Sequence, residues 1–239
     1  MKNAIQWIKE RPYCFLLLYW PIHFLWYDFL RILHPADGTV WIVESPLDRM
    51  IPFCEWFAIP YYLWYLWLVF TMVYPLVAST KEDFLRTQAL VFGVVLIPMV
   101  ICTVIPNGIP MALRPNFEEL GRDNFAVRMV EWVYSVDTPP RNVFPSMHVS
   151  VSWGMLFSLW QSPRLGKILW LRIASVILAV LVSMATVMIK QHSVLDVAAG
   201  MATACLVFSV VFLWEKRAKK RKAEKILAEK ENGTSSRAA

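Results

Sequence analysis

Charge is scarce in this chain. Only 18% of its 239 residues are Asp, Glu, Lys or Arg and 57% are hydrophobic, against about 25% and about 45–50% in an average soluble protein. That shortfall excludes an ordinary soluble domain, and a mean hydropathy of +0.46 points to lipid as the solvent. There are four cysteines, Cys14, Cys54, Cys102 and Cys205, and no C-x-x-C spacing among them. Neither a disulfide framework nor a cysteine zinc site is indicated; all four lie in or beside apolar windows and read as packing residues. No internal repeat is visible. The first apolar window has no small-x-small cleavage site behind it, which favours a retained helix over a signal peptide.

What the chain has instead is long apolar runs. Six windows, approximately 14–33, 53–79, 85–105, 143–160, 168–189 and 194–214, approach the roughly 20 residues a bilayer crossing requires. The expected fold is an all-α, polytopic membrane bundle of six helices over residues 1–214, followed by a basic tail over 215–239. If the N-terminus is cytoplasmic, 17 of the 24 basic residues fall on the cytoplasmic side and 7 outside, so both termini are expected inside. Nine of those basic residues follow Trp214, which makes the net charge of +6 a membrane anchor and not a nucleic-acid surface. The last residues, Glu231 to Ala239, read as disordered.

The long loop at 106–142, expected outside, opens with Pro106, Asn107, Gly108 and Pro110, which block a regular helix. Further on, Leu120, Val127, Val130 and Tyr134 recur at helical spacing between charges. A short helix on the membrane surface and an irregular loop are both compatible with that pattern.

A polar residue kept in an apolar bundle is costly, and three groups stand out. Arg114-Pro115 lies in the long loop, Pro145-Ser146-Met147-His148 opens the fourth window, and Lys190-Gln191-His192 precedes Asp196. The charge count puts all three at one membrane surface, outside, toward a periplasm, lumen or extracellular space. His192 and Asp196, four apart, share a helix face; the carboxylate can fix the imidazole tautomer and leave its other nitrogen free to attack. Ser146 is a good N-cap, and the helix start it caps presents N–H groups to an anion. Arg114 offers a bidentate donor for phosphate and Lys190 a point charge. Two histidines, an aspartate, two cations and a helix start suit phosphoryl transfer, with one histidine attacking and the other protonating the leaving oxygen.

The order R-P, P-S-x-H, H-x-x-x-D resembles the type 2 phosphatidic acid phosphatase superfamily, six-span membrane enzymes related to vanadium haloperoxidases. The family pattern is K-x6-R-P, P-S-G-H and S-R-x5-H-x3-D. The resemblance, over about 107–196, implies His192 as nucleophile, Asp196 as its orienting partner and His148 as general acid. It also implies that Arg114 and the region of Ser146 hold the phosphate, with no metal ion or other cofactor. The chain departs from the pattern at Asn107, where the family has lysine, at Met147 for glycine, and at Ala185-Thr186 for Ser-Arg. Lys190 could replace the lost arginine, and Asn107 remains a candidate phosphate contact. P-S-M-H with K-Q-H-x-x-x-D looks more like the inositol phosphorylceramide and sphingomyelin synthase branch. So does Asp48–Phe53, for which packing is the default role.

The implied substrate is a lipid phosphate or phospholipid; hydrolysis is favoured over headgroup transfer because phosphohydrolases are the common members. Two rival classes stay open. A His–Asp pair can hold zinc, although Arg114 and Lys190 would repel it. A transporter or scaffold is also conceivable, but transporters place polar groups at the midplane. Asp28 and Arg31 read as a helix-surface ion pair in preference to part of a substrate groove, His23 and His34 as packing or interfacial residues, and the Trp- and Tyr-rich stretch 56–67 as an aromatic belt.

Overall fold

A computed structural model describes residues 2–34 and 39–235, with side chains described only for residues 6–34 and 39–224. The fold is all-α. Nine α-helices lie among the described residues: α1 (Lys2–Glu10), α2 (Tyr19–Leu33), α3 (Pro46–Met50), α4 (Ala58–Ala78), α5 (Lys81–Val104), α6 (Phe125–Val136), α7 (Met147–Gln161), α8 (Leu169–Met188) and α9 (Val194–Ser235). Four helical stretches among the described residues are long and apolar enough to cross a membrane: Glu55–Ala78, Lys81–Val104, Leu169–Met188 and Val194–Glu224.

The other two apolar windows yield shorter helices, for local reasons. In the first, Pro12 starts a 3-10 turn over Pro12–Leu18, and α2 is only 15 residues. In the fourth, Pro145 precedes the helix and Ser162 ends it, which also leaves 15 residues. At 1.5 Å per residue that is about 22 Å, short of the roughly 30 Å hydrocarbon core.

Helix α7 is the centre of the bundle, packed against α5, α8 and α9. Lipid gives apolar helices no reason to prefer each other, so close approach and interhelical hydrogen bonds must hold them. Both are present. A Cβ on Gly154 would meet Val94 at 2.9 Å, and one on Gly200 would meet the Ser146 carbonyl at 2.7 Å, so glycine is what lets α5 and α9 touch α7. Ser150 Oγ donates to the Val94 carbonyl (2.9 Å), Thr87 and Ser158 hydroxyls pair at 2.7 Å, and Trp153 donates to Ser183 (3.2 Å).

The long loop does contain a helix. Asn124 caps α6 by accepting from Ala126 N and Val127 N, and Val127, Val130 and Tyr134 face inward. Leu120 lies in the turn before it, outside the helix. At the other end, α9 runs through the expected boundary at 214 and on to Ser235; residues 236–239 lie outside the described residues.

Two short strands set up the approach to α7. Strand β1 (Trp41–Ile42) pairs in parallel with β2 (Asn107–Gly108). Asn107 accepts from both Val143 N and Phe144 N at 2.8 Å and donates to the Ile105 carbonyl at 2.8 Å. A lysine could not accept those two bonds. Asn107 is 1% exposed and shapes the turn into Pro145-Ser146, so its amide is spent on backbone and not presented to a ligand.

Candidate active site

The site forms where the starts of α7 and α9 meet. Ser146 N donates to the Asp196 carbonyl (3.1 Å), which ties the two helix starts together. His148, in the first turn of α7, then lies against His192, just before α9, with ring centroids 5.7 Å apart. His192 Nδ1 is 3.2 Å from Asp196 Oδ2, which leaves Nε2 as the free nitrogen. The same Asp196 oxygen accepts from Ser193 N at 2.9 Å, so the carboxylate holds both the imidazole and its peptide.

His148 is held differently. Its ring packs on Tyr61 (4.7 Å between centroids) and Trp64 (4.9 Å), both on α4, and its Nδ1 is buried without a hydrogen-bond partner. Both histidines border a cavity of about 330 Å³ whose walls also include Trp20, Phe24 and Trp132. An apolar chamber with a few converging polar groups is the usual form of a small-molecule site.

The residues expected to hold phosphate divide. Ser146 is fully buried, and its Oγ caps α7 by accepting from Val149 N. Arg114 is 9% exposed and committed to the loop: it donates to the Asp137 carboxylate (2.6 Å) and carbonyl (2.8 Å) and lies 4.1 Å from the Tyr134 ring centroid. Burial raises the Asp137 carboxyl above its ordinary range, opposed by the Arg114 charge. Lys190 turns from α8 toward α9 with φ of 52°, and its Nζ donates to the carbonyls of Asp48 (2.7 Å) and Ile51. Burial lowers its ammonium, opposed by the Asp48 charge. Asn107, Arg114 and Lys190 thus brace the walls, and none of the three borders the cavity.

The cations that do border it are Arg31 and Arg141, with Asp28, Asp137 and Gln191 beside them. Asp28 and Arg31 therefore face the cavity, which corrects their reading as a mere surface pair. A second, more polar cavity of about 230 Å³ shares Tyr27, Arg31, Asp137, Arg141 and Asn142 with the first. For Arg31 the only sequence signal was a charge kept in an apolar window; for Arg141 it was proximity to P-S-M-H.

The family model of the PAP2 superfamily matches residues 87–220, which include all three motif groups and more than half of the chain. The chain belongs to the PAP2 superfamily. Its members are phosphatases and phosphotransferases. No curated protein and no solved structure matches the chain. The matched region begins inside α5, so Asp28, Arg31, Tyr61 and Trp64, which border the cavity, lie outside it.

Proposed function

We propose that this PAP2 protein is a membrane phosphohydrolase that cleaves a lipid phosphate through a phosphohistidine. His192 Nε2 attacks phosphorus, the P–O bond to the lipid alcohol breaks, and His148 gives that oxygen its proton. Water then attacks the phosphohistidine, His148 takes the water's proton, and the P–N bond breaks to release inorganic phosphate and restore both rings. The observation that carries this reading is the pair of imidazoles on one cavity wall, only one of them tied to a carboxylate. The phosphate is held by Arg141, Arg31 and the first turn of α7, with the Ser146 cap and Arg114 acting through the walls they brace.

The lipid nature of the substrate is supported by the cavity's aromatic lining. It is supported also by an open apolar groove between α4 and α6, lined by Ile59, Leu66, Phe125 and others, which shares Tyr65 and Trp132 with the cavity. In the proposed arrangement α2 and α7 complete six spans, both termini are cytoplasmic, and the site opens to the extracytoplasmic face of a plasma or inner membrane. The distribution of 17 basic residues against 7 supports that orientation.

Headgroup transfer is the second reading, supported by the polar cavity beside the site, which has room for an alcohol acceptor. The deciding experiment gives purified protein a labelled lipid phosphate, an unlabelled phospholipid donor, and ceramide or diacylglycerol. Free phosphate supports hydrolysis, and a new labelled lipid without free phosphate supports transfer. Neither product, with His192→Ala indistinguishable from the parent, would overturn the enzyme reading. Since the site's own cations supply the charge, turnover should survive excess chelator; loss restored by Mg²⁺ or Zn²⁺ would favour a metal mechanism.

A further inference from the structure

We infer that Asp48 is a positioning residue for the nucleophile, and that Lys190 serves it and not the substrate. The inference rests on the reading of His192 as nucleophile. Asp48 sits on α3, outside the family-matched region, and is 1% exposed. Its backbone begins as a local device: Ser45-Pro46-Leu47-Asp48 is a capping box, with Asp48 Oδ2 accepting from Ser45 N at 2.7 Å. A capping box needs nothing more from that carboxylate.

Here it does more. The same Oδ2 accepts from Ser193 Oγ (2.6 Å) and Oδ1 accepts from Val194 N (2.8 Å). Ser193 Oγ in turn accepts from Leu195 N (3.2 Å). Asp48 therefore caps α9 across 145 or more residues of chain, at the two positions directly after His192. The peptide of His192 is held on its other side by α8, through its N–H to the Thr186 carbonyl (3.0 Å). Between these anchors Lys190 takes a left-handed conformation that residues with a side chain rarely adopt. Its Nζ, reaching the carbonyls of Asp48 and Ile51, ties that turn to the segment carrying Asp48. Lys190, Ser193 and Val194, which surround His192, all end on α3 or the residue following it.

In-line attack is sensitive to this. Displacing a reacting group by about 1 Å can cost about 100-fold in rate without loss of binding. Asp48 touches neither histidine nor the cavity, so its removal should leave substrate binding intact and loosen only the direction of Nε2. In Asp48→Asn, an amide N–H would replace an acceptor that faces two donors, from Ser45 and Ser193.

The test measures kcat and KM of the full-length protein on dioleoyl phosphatidic acid in detergent micelles, together with single-turnover phosphohistidine formation. Asp48→Asn should lower kcat about 100-fold with KM within threefold, and phosphohistidine formation should slow by the same factor. Ser193→Ala, which removes one hydroxyl and carries the test if Asp48→Asn does not fold, should lower kcat about 10-fold. The double variant should be no slower than Asp48→Asn alone, because both changes cut one link. The inference is overturned if Ser193→Ala stays within twofold of the parent, or if KM rises as much as kcat falls in either variant. His192→Ala separates the two failures. If it is inactive while Ser193→Ala is fully active, only this inference falls; if it is active, both fall.

Discussion

The two ends of α7 carry the same kinds of residue and do different things with them. At the far end from His148, Ser158 pairs with Thr87, Ser162 donates to Asp83 (3.1 Å), and Asp83 is ion-paired with Arg86. The cavity there is about 20 Å³, room for about one water. At the His148 end the cavity is about 330 Å³, and His148, Gln191 and His192 are among the polar residues that border it. A buried polar group in lipid is expensive, so it persists either as glue or as a site. Polar pairs against almost no free space are glue. Polar groups beside a chamber have room to meet a ligand.

The sharpest way to break that contrast is His148→Ala. General acid–base groups contribute about 10²–10⁴-fold, so kcat on a lipid phosphate should fall by that much. On p-nitrophenyl phosphate, whose leaving group departs without a proton, the loss should be several-fold smaller. An equal loss on both substrates would remove His148 from the role of acid. Next in size, Arg31→Gln and Arg141→Gln should each lower kcat/KM about 10-fold or more, as a lost charged hydrogen bond of about 1.5–3 kcal/mol implies. If both variants match the parent, the phosphate lies elsewhere in the cavity.

At the sealed end the expectation reverses. Asp83→Asn removes the charge that Arg86 and Ser162 share, and should lower stability by about 1–3 kcal/mol. The activity of the folded fraction should not change. A thermal melt in detergent and a turnover assay on the same sample give both numbers, and a loss of turnover without a loss of stability would make this end functional too.

The difference between the two ends bears on what a sequence can reveal. His148, His192 and Asp196 were legible as candidates because that expectation rests on residue type and local spacing: an i,i+4 pair needs only a helix. The all-α class followed from the apolar runs. Partnership was not legible. Arg114 and Lys190 are cations in the expected place, but whether a cation meets phosphate or protein depends on what lies across the fold, and here Asp137 and the Asp48–Ile51 segment reach them first. Asn107 looked like a lost lysine until its hydrogen bonds to backbone were visible. Ser45-Pro46-Leu47-Asp48 could be read as a helix start, but not as a second cap for a helix some 146 residues away. The window that holds α7 reads as a full-length helix by composition, but Pro145 and Ser162 limit the helix to 15 residues.

The smallest effect expected is at Asp123, and a second pair in the same loop explains why. Arg128 meets both carboxylate oxygens of Asp123 at 3.0 Å, whereas Arg114 reaches one carboxylate oxygen and the carbonyl of Asp137, and Asp123 and Arg128 are both exposed to solvent. The Arg128 hydrogen bonds and charge hold the Asp123 carboxyl below its ordinary range, whereas burial raises that of Asp137. The signs are therefore opposite. Whatever Asp123 contributes is present above the ordinary carboxylate range and lost as pH falls through its depressed value. Any contribution tied to Asp137 is greatest below that range and declines as pH rises through its raised value. Exposed pairs are screened by water and salt and contribute little. Asp123→Asn should thus shift Tm by no more than about 1 °C at pH 7, and the Tm difference from the parent should stay flat between pH 7 and pH 3. Asp137→Asn should change the slope of Tm against pH over the same interval, because it removes a buried group whose protonation is coupled to folding. A flat difference for Asp137→Asn, or a sloped one for Asp123→Asn, would mean that burial is not what distinguishes these two arginine–aspartate contacts.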